Sequence, residues 1–423
     1  MSPDVISLLI LGVTILLFLT NWIPSTATAV LGCTLMVLTG VSKFSTAFSG
    51  FSNSIVVLVF ALQTVGMAMH NSGLAYKTGK LILRFAYNER LFVVIAILIS
   101  GILSMFLANT AVIAMFIAIM NSVVNSSDTI KLKHICLPVT MGAMFGGVCT
   151  LVGSTPQMMV QSIMEENTGI TYKMFDYMPV GLILMAVLIL YYLFIGYPLG
   201  HRMWRDDEDD PDQEKLASVA KKANLTVGTV RDQMIVGVVL VIMFMLFITE
   251  IVSNTMAAVI AMFLLVITRQ VSETDVIRNM DWKVLIRLAG CLGLASCLAD
   301  SKGGELIASS FIGVFGQSIS PTMLLSLTVI LTMIISNFIT NSTAIFIVLP
   351  PMVAIASSLG YSCLPLGIAC CYAGNLCFAT PLANAQTGLT MVAGYKFSDY
   401  VKYNGLLEII VAAVIILFVP IFF

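Results

Sequence analysis

The chain has 423 residues, 59% of them hydrophobic and only 10% charged, whereas a soluble domain carries about 25% charged residues, so a water-soluble enzyme is excluded. Its 21 basic and 22 acidic side chains leave a net charge of −1, which excludes a nucleic-acid binder, since that needs a basic face. The nine cysteines (33, 136, 149, 291, 297, 363, 370, 371 and 377) lie in or beside apolar stretches without disulfide or zinc spacing, and they read as small packing residues.

In chain order, apolar runs between charged breaks predict ten membrane crossings, at 4–20, 26–41, 52–70, 134–164, 178–199, 231–249, 253–268, 283–299, 364–393 and 403–423. The first of these lacks the basic start and cleavage site of a signal peptide and reads as a mature helix. Two further apolar stretches, 91–124 and 321–358, are too long for one crossing. Each carries a polar knot at its middle, Ala108-Asn109-Thr110 and Thr340-Asn341-Ser342-Thr343, which predicts a re-entrant hairpin. With two hairpins and an outside N-terminus, eighteen of the 21 Lys and Arg residues fall in the inner segments 71–90, 125–133, 200–231, 269–287 and 394–402. Only Lys43, Lys173 and Lys302 fall outside, the one-sided bias expected of a true topology. The predicted fold is an all-α polytopic membrane protein.

A hydrophilic segment, 200–230, reads as a cytoplasmic linker between a first repeat at 1–199 and a second at 231–423. YKMFDYMPVGL at 172–182 recurs as YKFSDYVKYNGL at 395–406, and Asn109 recurs as Asn341. Each half holds five crossings and a hairpin. Five is odd, so the second repeat is inserted upside down, as in secondary transporters.

Four irregular stretches converge in this scheme. Two are the hairpin tips. The others are Gly153-Ser154-Thr155-Pro156-Gln157 and Ala379-Thr380-Pro381-Leu382-Ala383-Asn384, which break the long segments 134–164 and 364–393. Unwound backbone at membrane depth belongs where it lines a polar cavity. No Lys, Arg, Asp or Glu lies at these breaks in the sequence reading. Helix N-termini with Asn and Ser/Thr donors favour an anion, while the freed carbonyl and hydroxyl oxygens suit a hard cation such as Na⁺. Tyr172, Tyr395, Asp176 and Asp399 read as interfacial anchors and helix caps. Arg287 and Glu408 read as residues near helix ends that snorkel, and the three histidines as interfacial. There is no H-E-x-x-H, G-x-S-x-G or Walker motif.

The paired tip motifs, "GS" at 153–154, "ATP" at 379–381 and the GYKFSDYVKYNG ending resemble the divalent anion:sodium symporter family of di- and tricarboxylate transporters over nearly the whole chain. The resemblance implies that Asn109, Thr110, Ser154, Asn341, Ser342 and Pro381 contact substrate carboxylates. It implies one Na⁺ near Ser104, Asn109 and Gly153, and another near Ser336, Asn341 and Ala379. It further implies a homodimer in the lipid of the cell's inner (plasma) membrane, working by an elevator motion. The family tip motif is Ser-Asn-Thr, so Ala108 lacks a hydroxyl at the first cation position. The expected function is secondary transport of small multivalent organic anions, C4-dicarboxylates first among them, with sodium coupling. The rivals are a sodium-independent exchanger, the membrane subunit of a binding-protein-dependent carboxylate transporter, and an anion channel.

Overall fold

The computed structural model describes residues 2–20, 22–73, 88–124, 131–205, 228–304, 306, 309–310, 319–381 and 384–423. Most of the 200–230 linker with its acidic run, the basic residues Lys77, Lys80, Arg84, Lys215, Lys221 and Lys222, and Leu382 and Ala383 of the second break lie outside the described residues.

The helices appear in the same order twice. Before the linker they are α1 (Pro3–Thr20), α2 (Ser25–Leu38), α3 (Phe44–Ala47), α4 (Ser54–Asn71), α5 (Glu89–Ser104), α6 (Asn109–Val124), α7 (Leu132–Gly147), α8 (Thr155–Thr168) and α9 (Met178–Met203). After it come α10 (Val230–Thr249), α11 (Asn254–Ile267), α12 (Glu273–Asn279), α13 (Trp282–Asp300), α14 (Pro321–Ser336), α15 (Asn341–Ser358), α16 (Leu364–Asn375), α17 (Ala385–Leu389) and α18 (Phe397–Phe422). Among the described residues, seven helices are long and apolar enough to cross a membrane. The protein is a multi-pass, all-helical membrane protein. The 14-residue helices α2 and α11 span only about 21 Å each, short of a bilayer core.

Local sequence explains where helices begin. Asn53, Asn88, Ser253, Asp281 and Ser320 each accept a backbone N–H at the start of α4, α5, α11, α13 and α14, satisfying donors that a helix start leaves free. Pro156, Pro179 and Pro365 occupy first-turn positions of α8, α9 and α16, where their missing N–H costs nothing. Gly169 and Gly394, at φ +69° and +81°, turn the chain out of α8 and out of the single turn following α17.

Packing repeats with the order. α2 packs on α13 and α11 on α4; α5 packs on α7 and α14 on α16; α8 packs on α15 and α17 on α6; α7 packs on α9 and α16 on α18. Helices of the two halves are therefore interleaved. The close contacts use glycine: a Cβ at Gly146 would stand 2.1 Å from the Gly101 carbonyl oxygen, and one at Gly50 would stand 2.0 Å from that of Ala289.

All nine cysteines are free and buried. The repeat tyrosines differ from their reading as surface anchors. Tyr172 and Tyr395 are buried; Tyr172 donates to the Leu364 carbonyl at the start of α16, and Tyr395 to the Lys133 carbonyl at the start of α7. Each is a strut from one half to the other, because the short loops ahead of α9 and α18 fold inward. Asp399, in the first turn of α18, accepts the backbone N–H of Lys396 as a cap, whereas Asp176 accepts that of Lys173 within the turn ahead of α9 and caps no helix.

Candidate functional site

Each long stretch with a polar knot forms two 16- to 18-residue helices around a four-residue break: α5 and α6 flank 105–108, and α14 and α15 flank 337–340. The tips are built alike. Ser104 Oγ donates to Asn109 Oδ1 over 2.5 Å, and Ser336 Oγ to Asn341 Oδ1 over 3.1 Å, with each serine five residues before its asparagine. Both serines are fully buried, and both asparagines nearly so. Thr110 is half-buried and Ser342 buried, one residue further into the helix N-termini that the asparagines open. Those N-termini carry free N–H groups and partial positive charge.

The two other stretches break as expected. α7 ends at Gly147 and α8 starts at Thr155; α16 ends at Asn375 and α17 starts at Ala385. Each break is tied to its hairpin tip by one threonine. Thr150 Oγ1 donates to the Met105 carbonyl over 2.5 Å, and Thr380 Oγ1 to the Asn337 carbonyl over 2.6 Å. Each break is also tied to itself: Gln157 Nε2 donates to the Gly147 carbonyl over 2.7 Å, and Asn384 Nδ2 to the Cys377 carbonyl over 2.9 Å.

The structure gathers Ser104, Asn109 and Gly153 around Gly147. A Cβ on Gly147 would meet Asn109 Oδ1 at 2.3 Å, and one on Gly153 would meet the Gly147 carbonyl oxygen at 2.1 Å. Ser336 and Asn341 gather against the end of α16, where Ser336 Oγ also donates to the Gly374 carbonyl over 2.9 Å. Half-buried Ser154 connects the two sets, because its hydroxyl reaches Gln157 Oε1 and, over 2.7 Å, Asn375 Oδ1. Pro381 is buried beyond Thr380.

Glu408 corrects the sequence reading. It sits mid-way along α18 and is buried, not near a helix end. Its Oε2 accepts the backbone N–H of Phe378 over 3.1 Å and of Ala379 over 2.8 Å, while Oε1 accepts from Asn337 Nδ2. A charge-bearing group therefore does stand at the second break. The unwound backbone there leaves two N–H groups that need an acceptor, and the carboxylate supplies it. Arg287 lies in the second turn of α13, near a helix end as read, and its guanidinium Nη1 reaches Thr340 Oγ1 at 3.5 Å, beside the second tip. Asn375 and Gln157, both buried, are further polar groups of the site that the sequence did not single out as ligands.

This constellation is a polar centre enclosed by broken helices, the arrangement of a membrane transporter. The chain belongs to the citrate transporter (CitMHS) family, whose pattern it matches over residues 15–324 and 244–423. It is 26% identical over 418 residues to an uncharacterized transporter of Haemophilus influenzae, covering 94% of this chain and 87% of that protein. It is 20% identical over 436 residues to the sodium-dependent dicarboxylate transporter SdcS of Staphylococcus saprophyticus, covering 95% and 83%. With the uncharacterized transporter YfbS of Escherichia coli it shares 28% identity over 207 residues, 48% of this chain and 33% of that protein. Among solved structures it resembles Neisseria gonorrhoeae MtrF, of a class of antimetabolite efflux pumps, with TM-score 0.60 and 13% identity over 90% of this chain and 83% of that one. The transporter YdaH of Alcanivorax borkumensis is similar with TM-score 0.51 and 15% identity, over 92% and 87%.

Proposed function

We propose that this protein is a secondary active carrier of small di- or tricarboxylates, C4-dicarboxylates first, moving them with sodium. The observation that carries this reading is the matched pair of Ser-Asn tips, Ser104–Asn109 and Ser336–Asn341, each held at a helix N-terminus and each tied to a break. Two such termini, one from each half, suit the two carboxylates of one substrate. Asn109, Thr110, Ser154, Asn341, Ser342 and Pro381 are the proposed substrate contacts. Arg287 adds positive charge on the approach to the second tip. One Na⁺ is assigned near Ser104, Asn109 and Gly153, and another near Ser336, Asn341 and Ala379. The dicarboxylate name of SdcS and its sodium dependence favour the same substrate and ion.

The repeats at 1–199 and 231–423 are read as inverted, joined by the cytoplasmic linker. In a homodimer, α1, α2, α10 and α11 form much of the fixed scaffold, while the hairpins and broken helices move past it. That motion must break the exposed Lys173–Glu250 ion pair between the loop after α8 and the end of α10. Uptake into proteoliposomes, with a panel of carboxylates and with or without an inward sodium gradient, tests the function. Saturable uptake of a C4-dicarboxylate driven by the gradient is the expected result. Uptake that needs internal carboxylate and ignores sodium replaces symport by exchange. No uptake of any carboxylate overturns the reading.

A further inference from the structure

Three side chains outside the carboxylate site meet at the basic end of the first half. Glu89 opens α5, His134 lies in the first turn of α7, and His201 lies in the last turn of α9. Glu89 Oε1 stands 3.3 Å from His134 Nδ1 and 3.2 Å from His201 Nε2. The three ligand atoms all fall within 4.8 Å of one another, and the two imidazole centroids are 4.1 Å apart.

The His134 side chain is only 6% exposed, and its Nδ1 pairs with Glu89 Oε1 at 3.3 Å without hydrogen-bond geometry, whereas His201 Nε2 hydrogen-bonds the same oxygen over 3.2 Å. One carboxylate oxygen therefore stands between two imidazole nitrogens. A tetrahedral ion with donors at about 2.0–2.1 Å sets neighbouring donors about 3.3 Å apart, which the two observed separations match. Two imidazoles and one carboxylate are a donor set for zinc and neighbouring divalent transition metals.

The fold does not require this cluster. The positions 232 further on, which pair Ser104 with Ser336 and Asn109 with Asn341, pair Glu89 with Pro321 and His134 with Leu366. Pro321 and Leu366 line a small cavity with Pro365 and Pro420, so the second half has no metal-ligating side chain at these two positions. Around the cluster, the Tyr197 ring lies 4.4 Å from that of His201 and carries the Arg90 guanidinium on its face at 4.2 Å. A π turn at Tyr192–Gly196 shifts the register of α9 just before His201, and such turns concentrate at functional sites.

We propose that Glu89, His134 and His201 bind one divalent transition-metal ion of the zinc class, clamping the starts of α5 and α7 to the end of α9. The side chain of His201 is 37% exposed, so water has access to the fourth position. This site is independent of the carboxylate reading.

The test is titration of full-length, tag-free purified protein with Zn²⁺ alone and with Co²⁺ alone, followed by calorimetry and by visible absorption. One equivalent is expected to bind, with the intense visible bands of four-coordinate Co²⁺ and a rise in melting temperature. His134 is packed inside, so the deciding variants are His201→Ala and Glu89→Gln at the more open side. Each is expected to weaken binding by about 100-fold or more, since even outer partners of a ligand are worth 10–100-fold. Both variants are expected to keep the metal-free elution volume and melting temperature. Absence of stoichiometric binding by the wild type, or equal affinity in wild type and both variants, overturns the proposal.

Discussion

Ser154 Oγ donates to Asn375 Oδ1 over 2.7 Å, joining residues 221 positions apart in the chain. The first opens α8 and the second closes α16, and Asn375 Nδ2 also donates to Gln157 Oε1 of α8 over 3.3 Å, so the two broken segments meet through a pair of side-chain bonds. Each break is then held to its own hairpin tip by a threonine, Thr150 to Met105 and Thr380 to Asn337. A displacement at either tip is therefore felt at both breaks.

Gly147 is where the first tip and the first break touch. Alanine there would place a methyl 2.3 Å from Asn109 Oδ1 and 2.8 Å from its Nδ2, and Asn109 must leave its bond with Ser104. Gly147→Ala is expected to lower apparent substrate affinity at least about tenfold and to cost about 1–3 kcal/mol of stability, the usual penalty of overpacking. Gly66→Ala, with nothing within 4 Å of its Cβ, is expected to leave both unchanged or raise stability by up to about 1 kcal/mol. Uptake kinetics and thermal unfolding of the two variants check this.

The hairpins and broken helices were legible in the sequence because each interrupts an apolar run with a visible polar knot, as at Asn109, Asn341, Ser154 and Pro381. The partners of those knots were not. Asn375 and Glu408 stand inside apolar segments whose composition marks them only as helix. What gives them meaning is the backbone they face: Glu408 is 29 residues from Ala379, and Asn375 is 221 from Ser154. Tyr172 and Tyr395 look like interface anchors by composition, and only the inward fold of their loops shows them to be buried struts. Glu89, His134 and His201 likewise come from three helices, with no spacing to announce them.

Glu408 is expected to be structural at the second break as well as charged. Glu408→Gln replaces one acceptor oxygen by an amide that faces either the Asn337 amide or the Phe378 and Ala379 N–H groups. Hydrogen bonds to a charged group are worth about 1.5–3 kcal/mol, so the variant is expected to lose about 2–3 kcal/mol of stability and most of its transport. Denaturation of purified protein, with parallel uptake, checks it; wild-type stability would show that the break does not rely on this carboxylate.

The cation positions are expected to differ in strength. Ser336 bonds both Asn341 and the Gly374 carbonyl and is followed by Thr340, whereas Ala108 stands at the matching place in the first tip. Ser336→Ala is expected to weaken sodium dependence more than Ser104→Ala. Because coupling is reciprocal, Ser336→Ala is also expected to shift the apparent substrate affinity at fixed sodium. Uptake at graded sodium for the two variants measures the difference; an equal or reversed order removes the asymmetry.

Calorimetric binding of a C4-dicarboxylate such as succinate to purified wild-type, Asn109→Ala and Asn341→Ala protein, in sodium-rich and sodium-free buffer, addresses the site most directly. The wild type is expected to bind, and more tightly as sodium rises. Each alanine variant leaves a desolvated partner unsatisfied, costing about 1–3 kcal/mol for a neutral bond and more for a charged one. Each is therefore expected to bind at least about tenfold more weakly while remaining folded. Wild-type affinity in both single variants would contradict the assignment of the two tips as the carboxylate site.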